Sequence, residues 1–195
     1  MTDSQLHAIV SYVTQQFTAQ TNSSHNLDHL NRVWQNAHHL AHLTHHTDPQ
    51  CLRLLKAVCY LHDLSYATPI PLLFQYFTEV RRTNILVTPL LRQLQVPSSD
   101  IVQITHAITH HPWSIPFRRL NPHQDYLTQI LQDADSIDYF HPLRLRVALQ
   151  WTAQHYLTFM HPLINWFAKS GQDHIRLFLN LPQAVAYAQT QYSKN

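Results

Sequence analysis

Apolar residues recur along this chain at intervals of three and four, the spacing that lines them up on one face of a helix. Leu6, Ile9, Val10, Val13 and Phe17 make the first such stripe, with Asp3 or Ser4 placed to cap it. A polar stretch, 21–25, interrupts the pattern. It resumes over about 28–43, where Leu30, Val33, Trp34, Ala37 and Leu40 form the inward face. Asp48-Pro49 reads as an N-cap followed by proline at the first helical position, opening a third helix that carries Leu52, Leu55, Val58, Cys59 and Leu61.

Two prolines within 65–71 predict a break. Helical periodicity returns over 72–80 and, beyond Pro89, over 90–94. Pro97-Ser98-Ser99 opens a helix bearing Ile101, Ile104, Ala107 and Ile108 up to His110. Pro112, Pro116 and Arg118-Arg119 fall in a loop, and Asn121-Pro122 looks like the cap of a helix leading to Asp133. Two long amphipathic stretches follow, 142–170 and 172–192, with Gly171 placed as the residue that ends the first. No alternation of strand type occurs, and no Asn-Gly or Asp-Gly hairpin turn. The expectation is an all-α, single-domain helical bundle over residues 1–195.

Composition narrows the function classes. A single glycine argues against a phosphate-cradling glycine-rich loop, and 45% hydrophobic residues suffice for one substantial core. Net charge is +2, from 13 basic and 11 acidic residues without like-charge runs, so no footprint for a nucleic-acid polymer or a membrane surface is present. Cys51 and Cys59 fall about 12 Å apart on one helix, beyond disulfide reach, which suits free thiols in a reducing cytoplasm. The opening Met-Thr-Asp-Ser-Gln lacks the pattern of a signal peptide, and no apolar run is long enough to span a membrane. A cytoplasmic protein is expected. Most of the 17 histidines belong to exposed faces, the cluster His38-His39, His42 and His45-His46 among them.

Chemistry concentrates in three segments. His62-Asp63 ends an apolar helical stretch, where an imidazole beside a carboxylate is costly unless a cation needs both. His29 lies at a helix start, with His25 four residues earlier. Asp133, Asp135 and Asp138 follow the apolar run Ile130-Leu131. Two imidazoles and two carboxylates suit one divalent cation such as Mn, Fe, Co, Ni or Mg, with positions left for water or substrate oxygens.

The order of these segments resembles the HD-domain superfamily of metal-dependent phosphohydrolases, and within it the small bacterial HD hydrolases. The matching residues are His29 in Asp28-His29-Leu30-Asn31-Arg32-Val33, the doublet His62-Asp63, and Asp135 in Asp133-Ala134-Asp135-Ser136-Ile137-Asp138. Ile104-Thr105-His106-Ala107-Ile108-Thr109-His110-His111 lies between them, as in family members. The resemblance covers about 24–140, the metal-binding core, and leaves the C-terminal helices of 142–192 outside it.

It implies that His29, His62, Asp63 and Asp135 hold one metal, and that the reaction is hydrolysis of a phosphomonoester, phosphodiester or nucleotide. Asp63 or Asp133 would accept the water's proton, Arg32 would hold a phosphate or a site carboxylate, and His110 or His111 would touch substrate. Asp133 and Asp138 otherwise read as carboxylates that end a helix or hold a histidine tautomer. Relatives with two metals draw further histidines from between the doublet and the final aspartate. Here 64–105 contains none, which favours one metal. Arg81, Arg82, Arg118 and Arg119, placed in loops, can grip a phosphate, and Trp113 can stack a base. The C-terminal helices offer surface for a homodimer. Two rival readings remain: a dinuclear-iron oxygenase on the same scaffold, and an HD module that binds a ligand without turnover.

Overall fold

The computed structural model describes residues 1–18, 24–68, 72–112, 125–154 and 157–192. Every regular element among them is helical, as the periodicity predicts. The helices are α1 (Asp3–Phe17), α2 (Leu27–Leu43), α3 (Pro49–Leu61), α4 (Leu72–Gln93), α5 (Ser98–His110), α6 (Tyr126–Tyr139), α7 (Pro142–Gln154), α8 (His161–His174) and α9 (Pro182–Tyr192). Short 3₁₀ turns occupy Leu64–Ala67, Thr158–Met160 and Ile175–Leu177. No helix among the described residues is long and apolar enough to cross a membrane.

Helix α2 is central, packed on α3 and α6, while α5 packs against α3, α4 and α6. The stripe read from the sequence supplies the contact: Leu30, Val33, Ala37 and Leu40 are fully buried, joined by Ala41, with Trp34 only partly covered. Helix α3 starts as expected at Asp48, whose carboxylate accepts from the amides of Gln50 and Cys51 at 3.0 Å each. Cys51 and Cys59 are both free thiols.

Several boundaries differ from the sequence expectation, each for a local reason. Helix α1 is capped by Thr2 rather than Asp3 or Ser4. The Thr2 hydroxyl accepts from the Gln5 amide at 3.2 Å, and the Gln5 side chain accepts from the Thr2 amide at 2.8 Å. Helix α4 runs through Pro89 without a break. The carbonyl that loses its partner belongs to Ile85, on an exposed face where water can replace it, while Val87 and Leu91 stay buried. This places Arg81 and Arg82 on a helix, not in a loop, with Arg82 donating to the Thr68 carbonyl at 2.8 Å. The stretch 142–170 is divided into α7 and α8. Pro162, second residue of α8, fits a first turn and not a helix interior. Gly171 lies within α8 instead of ending it. Asn121-Pro122, Trp113 and Arg118-Arg119 lie outside the described residues; α6 opens at Asp125, which accepts from the Thr128 amide at 2.9 Å.

With glycine nearly absent, the chain ends two helices on other residues in the left-handed region. His45 (φ 61°) follows α2 and Gln95 (φ 55°) follows α4. In both places the next amide reaches back to close the helix, His46 to the Ala41 carbonyl at 2.9 Å and Val96 to the Leu91 carbonyl at 3.0 Å. The histidine-rich face of α2 is used piecemeal: His39 packs on Tyr187 of α9, His46 on Tyr126 of α6, and His38 between Trp34 and His42.

Exchanging Gln95→Gly removes the cost of a Cβ in the left-handed region at an exposed position. Thermal unfolding is expected to show a gain of about 0.5–1 kcal/mol, offset in part by the entropy glycine adds to the unfolded chain.

Candidate metal centre

Three helix ends bring the chemical groups together. His29 sits in the first turn of α2, where the Asn26 side chain caps its amide at 3.0 Å. His62 is the residue that closes α3, and Asp63 follows as the chain turns away. Asp135 and Asp138, three apart on α6, share the face that meets α2. His29 and His62 are completely buried, and Asp63 and Asp138 almost so.

The oxygen Asp63 Oδ2 is the hub. His25 Nδ1 lies 2.6 Å from it, His29 Nε2 3.1 Å and His62 Nε2 3.4 Å. His29 Nε2 is also 3.6 Å from Asp135 Oδ1, and its Nδ1 donates to Asp138 Oδ2 at 2.7 Å. Asp138 in turn accepts from both Arg32 and Arg144. Arg144, from α7, donates to Asp135 Oδ1 at 2.9 Å, and its guanidinium lies 4.6 Å from the Tyr139 ring centre. His62 Nδ1 donates to the Cys59 carbonyl at 2.9 Å. A carbonyl can only accept, so Nδ1 carries the proton and Nε2 presents a bare lone pair. That nitrogen is buried and makes no hydrogen bond.

The charges follow from these contacts. Burial drives the His62 imidazole down to about 4, with His111 and His29 adding to the effect against the pull of Asp63, so His62 is neutral at pH 7. For His29, burial and the Arg144 charge act downward, and the bonds to Asp138 and Asp63 outweigh them, leaving it raised. Burial works against ionisation of all three carboxylates and loses. His62 and His25 hold Asp63 well below the usual range, Arg144 and His29 hold Asp135 low, and the His29 bond with the two arginines holds Asp138 low.

A second group adjoins the first. His111 closes α5, is buried, and stands perpendicular to His62 with ring centres 5.0 Å apart. Its Nε2 is 3.5 Å from Oε1 of Glu79 on α4, and Glu79 Oε2 accepts from the Tyr66 hydroxyl at 2.8 Å. Tyr66 stacks flat on His25 at 3.8 Å. Burial lowers the His111 imidazole, but Glu79 more than compensates and brings it to about 9.

Of the residues singled out in the sequence, the fold gathers His29, His62, Asp63, Asp135 and His111, and brings Arg32 to them through Asp138. Two are placed elsewhere. Asp133 is fully buried on α6, but two residues from Asp135 means about 200° of helix rotation, and its oxygens accept from the amides of Asn180 (2.7 Å) and Leu181 (2.9 Å) just before α9. It anchors α9 and is not at hand to take a water's proton. His110, half-buried, packs its ring on His106 at 4.4 Å, rotated about 100° from the inward His111.

Glu79, Tyr66 and Arg144 were not legible as site residues. Glu79 and Tyr66 carry no motif. Arg144 is separated from Asp135 by a helix junction, and an arginine in Pro142-Leu143-Arg144 reads as a solvated residue until α7 is seen to fold back.

The donor set fits a divalent cation. Ligand atoms of His29, His62 and Asp135 lie within 4.8 Å of one another, as do those of His25, His29 and Asp63. The bare His62 nitrogen fits the role of a ligand, and a cation would take the place of the His29 Nε2 proton.

No family model matches the chain, and no curated protein matches it in sequence. Solved structures do resemble it. A protein from Lactobacillus plantarum matches over 99% of this chain and 93% of its own, with TM-score 0.69 and 21% identity. A predicted HD superfamily hydrolase from an uncultured Thermotogales bacterium covers 96% of this chain and 85% of its own (TM-score 0.62, 18% identity). Bacillus subtilis YpgQ, solved in complex with ADP, covers 97% and 88% (TM-score 0.61, 17% identity). The chain therefore has an HD-domain-type fold, as the sequence resemblance implied.

Two measurements test this electrostatic description. His111, raised to about 9, contributes stability that is complete below its unfolded value near 6.5 and lost as pH rises through 9. In metal-free protein, Glu79→Gln is expected to flatten that alkaline decline in denaturant titrations between pH 6.5 and 9. Asp133→Ala is expected to lower stability by about 1–3 kcal/mol, because it strands the two amides before α9, while metal uptake measured by calorimetry stays at the wild-type level.

Proposed function

We propose that the protein is a metal-dependent phosphohydrolase that cleaves a phosphomonoester, phosphodiester or nucleotide, with His29, His62, Asp63 and Asp135 holding the cation. One observation carries the reading: two imidazoles and two ionised carboxylates from three helices converge, and one buried imidazole nitrogen has no hydrogen-bond partner. A divalent ion there lowers the pKa of a water and polarises a phosphoryl oxygen.

The chain's own groups supply the rest. Asp138 fixes the His29 tautomer, so that Nε2 faces inward. Arg144 balances Asp135 and Asp138 and keeps both ionised. Asp63, central to the cluster, accepts the water's proton at a carboxylate oxygen, while the oxygens of Asp133 are taken by the Asn180 and Leu181 amides. Arg32, partly exposed at the edge, supplies positive charge where phosphoryl oxygens gather negative charge. The ADP in the YpgQ structure supports a nucleotide as the phosphoester.

Phosphate or pyrophosphate release from a panel of nucleotides and generic phosphoesters, assayed with Mn²⁺, Co²⁺, Ni²⁺ and Mg²⁺, tests this reading. Turnover is expected with at least one ion, and Asp138→Asn is expected to lower metal affinity or activity about 10–100-fold. Binding of an ion with no release from any compound favours a ligand-binding module. Two irons per chain with oxygen consumption favours the oxygenase.

A further inference from the structure

The histidines on the outer side of α2 take no part in the centre described above, and two of them are arranged as a chelate. His38 lies nine residues beyond His29, about two and a half helical turns. It therefore stands on the opposite face of α2, roughly 14 Å further along the axis. His42 follows after four residues, which places the two side chains one above the other. Their ring centres are 4.7 Å apart and the ring planes inclined at 68°. Imidazoles four residues apart on one helix face can each give a nitrogen to the same ion, as helical zinc sites do.

The surroundings prepare this pair and not its neighbours. His38 is half-buried beside the Trp34 ring, 5.1 Å between centres, which limits the orientations of its imidazole, while His42 is exposed and free to adjust. Burial, with His42, His39 and Lys56 close by, lowers the proton affinity of His38, so that a bare nitrogen is available at pH 7. By contrast, His39 packs on Tyr187, His46 packs on Tyr126, and His45 has left the helix. In the pair of equal spacing on α5, His106 and His110, the His106 ring is turned to Asp125 with Nε2 3.4 Å from the carboxylate.

The charged and titratable groups that act on His38 are His42, His39 and Lys56, with no carboxylate among them. A pair of neutral imidazoles binds through nitrogen affinity and not through opposite charge. That favours Cu²⁺, Ni²⁺ and Zn²⁺ over Mg²⁺ and Mn²⁺.

We propose that His38 and His42 chelate a divalent cation of this imidazole-seeking class on the outer face of α2, with water or a small exogenous ligand in the remaining positions. One helix then carries two sites of different preference, a nitrogen-only pair outside and a mixed nitrogen and carboxylate set at its start.

Cu²⁺ held by iminodiacetate is the probe, because the chelator leaves positions for two imidazoles and is too encumbered for the buried centre. At sub-stoichiometric copper the full chain is expected to bind the complex with the electron spin echo signature of two coordinated imidazoles. His38→Gln and His42→Gln, each checked for folding by circular dichroism, are expected to lose that two-imidazole signature. His42 is exposed, so its variant reports on the site even where exchange at the half-buried His38 disturbs the fold. No complex with wild type, a single coordinated imidazole, or a two-imidazole signature that survives in the folded His42→Gln chain overturns the proposal. Each of these results leaves the centre at His29 standing.

Discussion

Three buried carboxylates within one cluster set the terms for the rest of this structure. Asp63, Asp135 and Asp138 are nearly removed from water, and each stays ionised against the cost of burial because a cation or an imidazole faces it. Asp138 takes two arginines and His29. Asp135 takes Arg144. Asp63 has only imidazoles, and one of these, His62, is neutral and donates nothing to it. Asp63 thus lies beside a buried imidazole nitrogen, His62 Nε2, that has no hydrogen-bond partner, which is the condition a divalent cation satisfies.

Helix ends do the positioning. His62 and His111 each occupy the closing position of a helix, where the side chain can bond back to the preceding turn and hold its ring rigid. His29 sits at the opposite kind of end, in a first turn fixed by the Asn26 cap. Because α2 packs between α3 and α6, these ends meet at one place. The C-terminal helices belong to the same arrangement. Helix α7 returns Arg144 to the carboxylates, and Asp133 ties the start of α9 to the reverse face of α6.

Helices α2, α3 and α5 were legible from apolar spacing and capping residues, because both act over a few residues. Errors fell where distant packing decides. Pro89 lies inside a helix since its exposed face tolerates the missing bond, and the proline at 162, not the glycine at 171, marks a boundary. The same division holds for the candidate site. His29, His62-Asp63 and Asp135 stand in recognisable local contexts. Arg144, Glu79 and Tyr66 acquire meaning only through contacts between helices far apart in the chain. Asp133 shows the reverse error: it shares a motif with Asp135 yet lies on the other face of the helix, a distinction that two residues of spacing already contain.

Whether one ion bridges these separated segments is most directly measured by anomalous diffraction from crystals grown with Mn²⁺. The account predicts a strong peak bonded to His29 Nε2, His62 Nε2 and carboxylate oxygens of Asp63 and Asp135. Ordered density for those four side chains, with the manganese peak absent from among them, would contradict it.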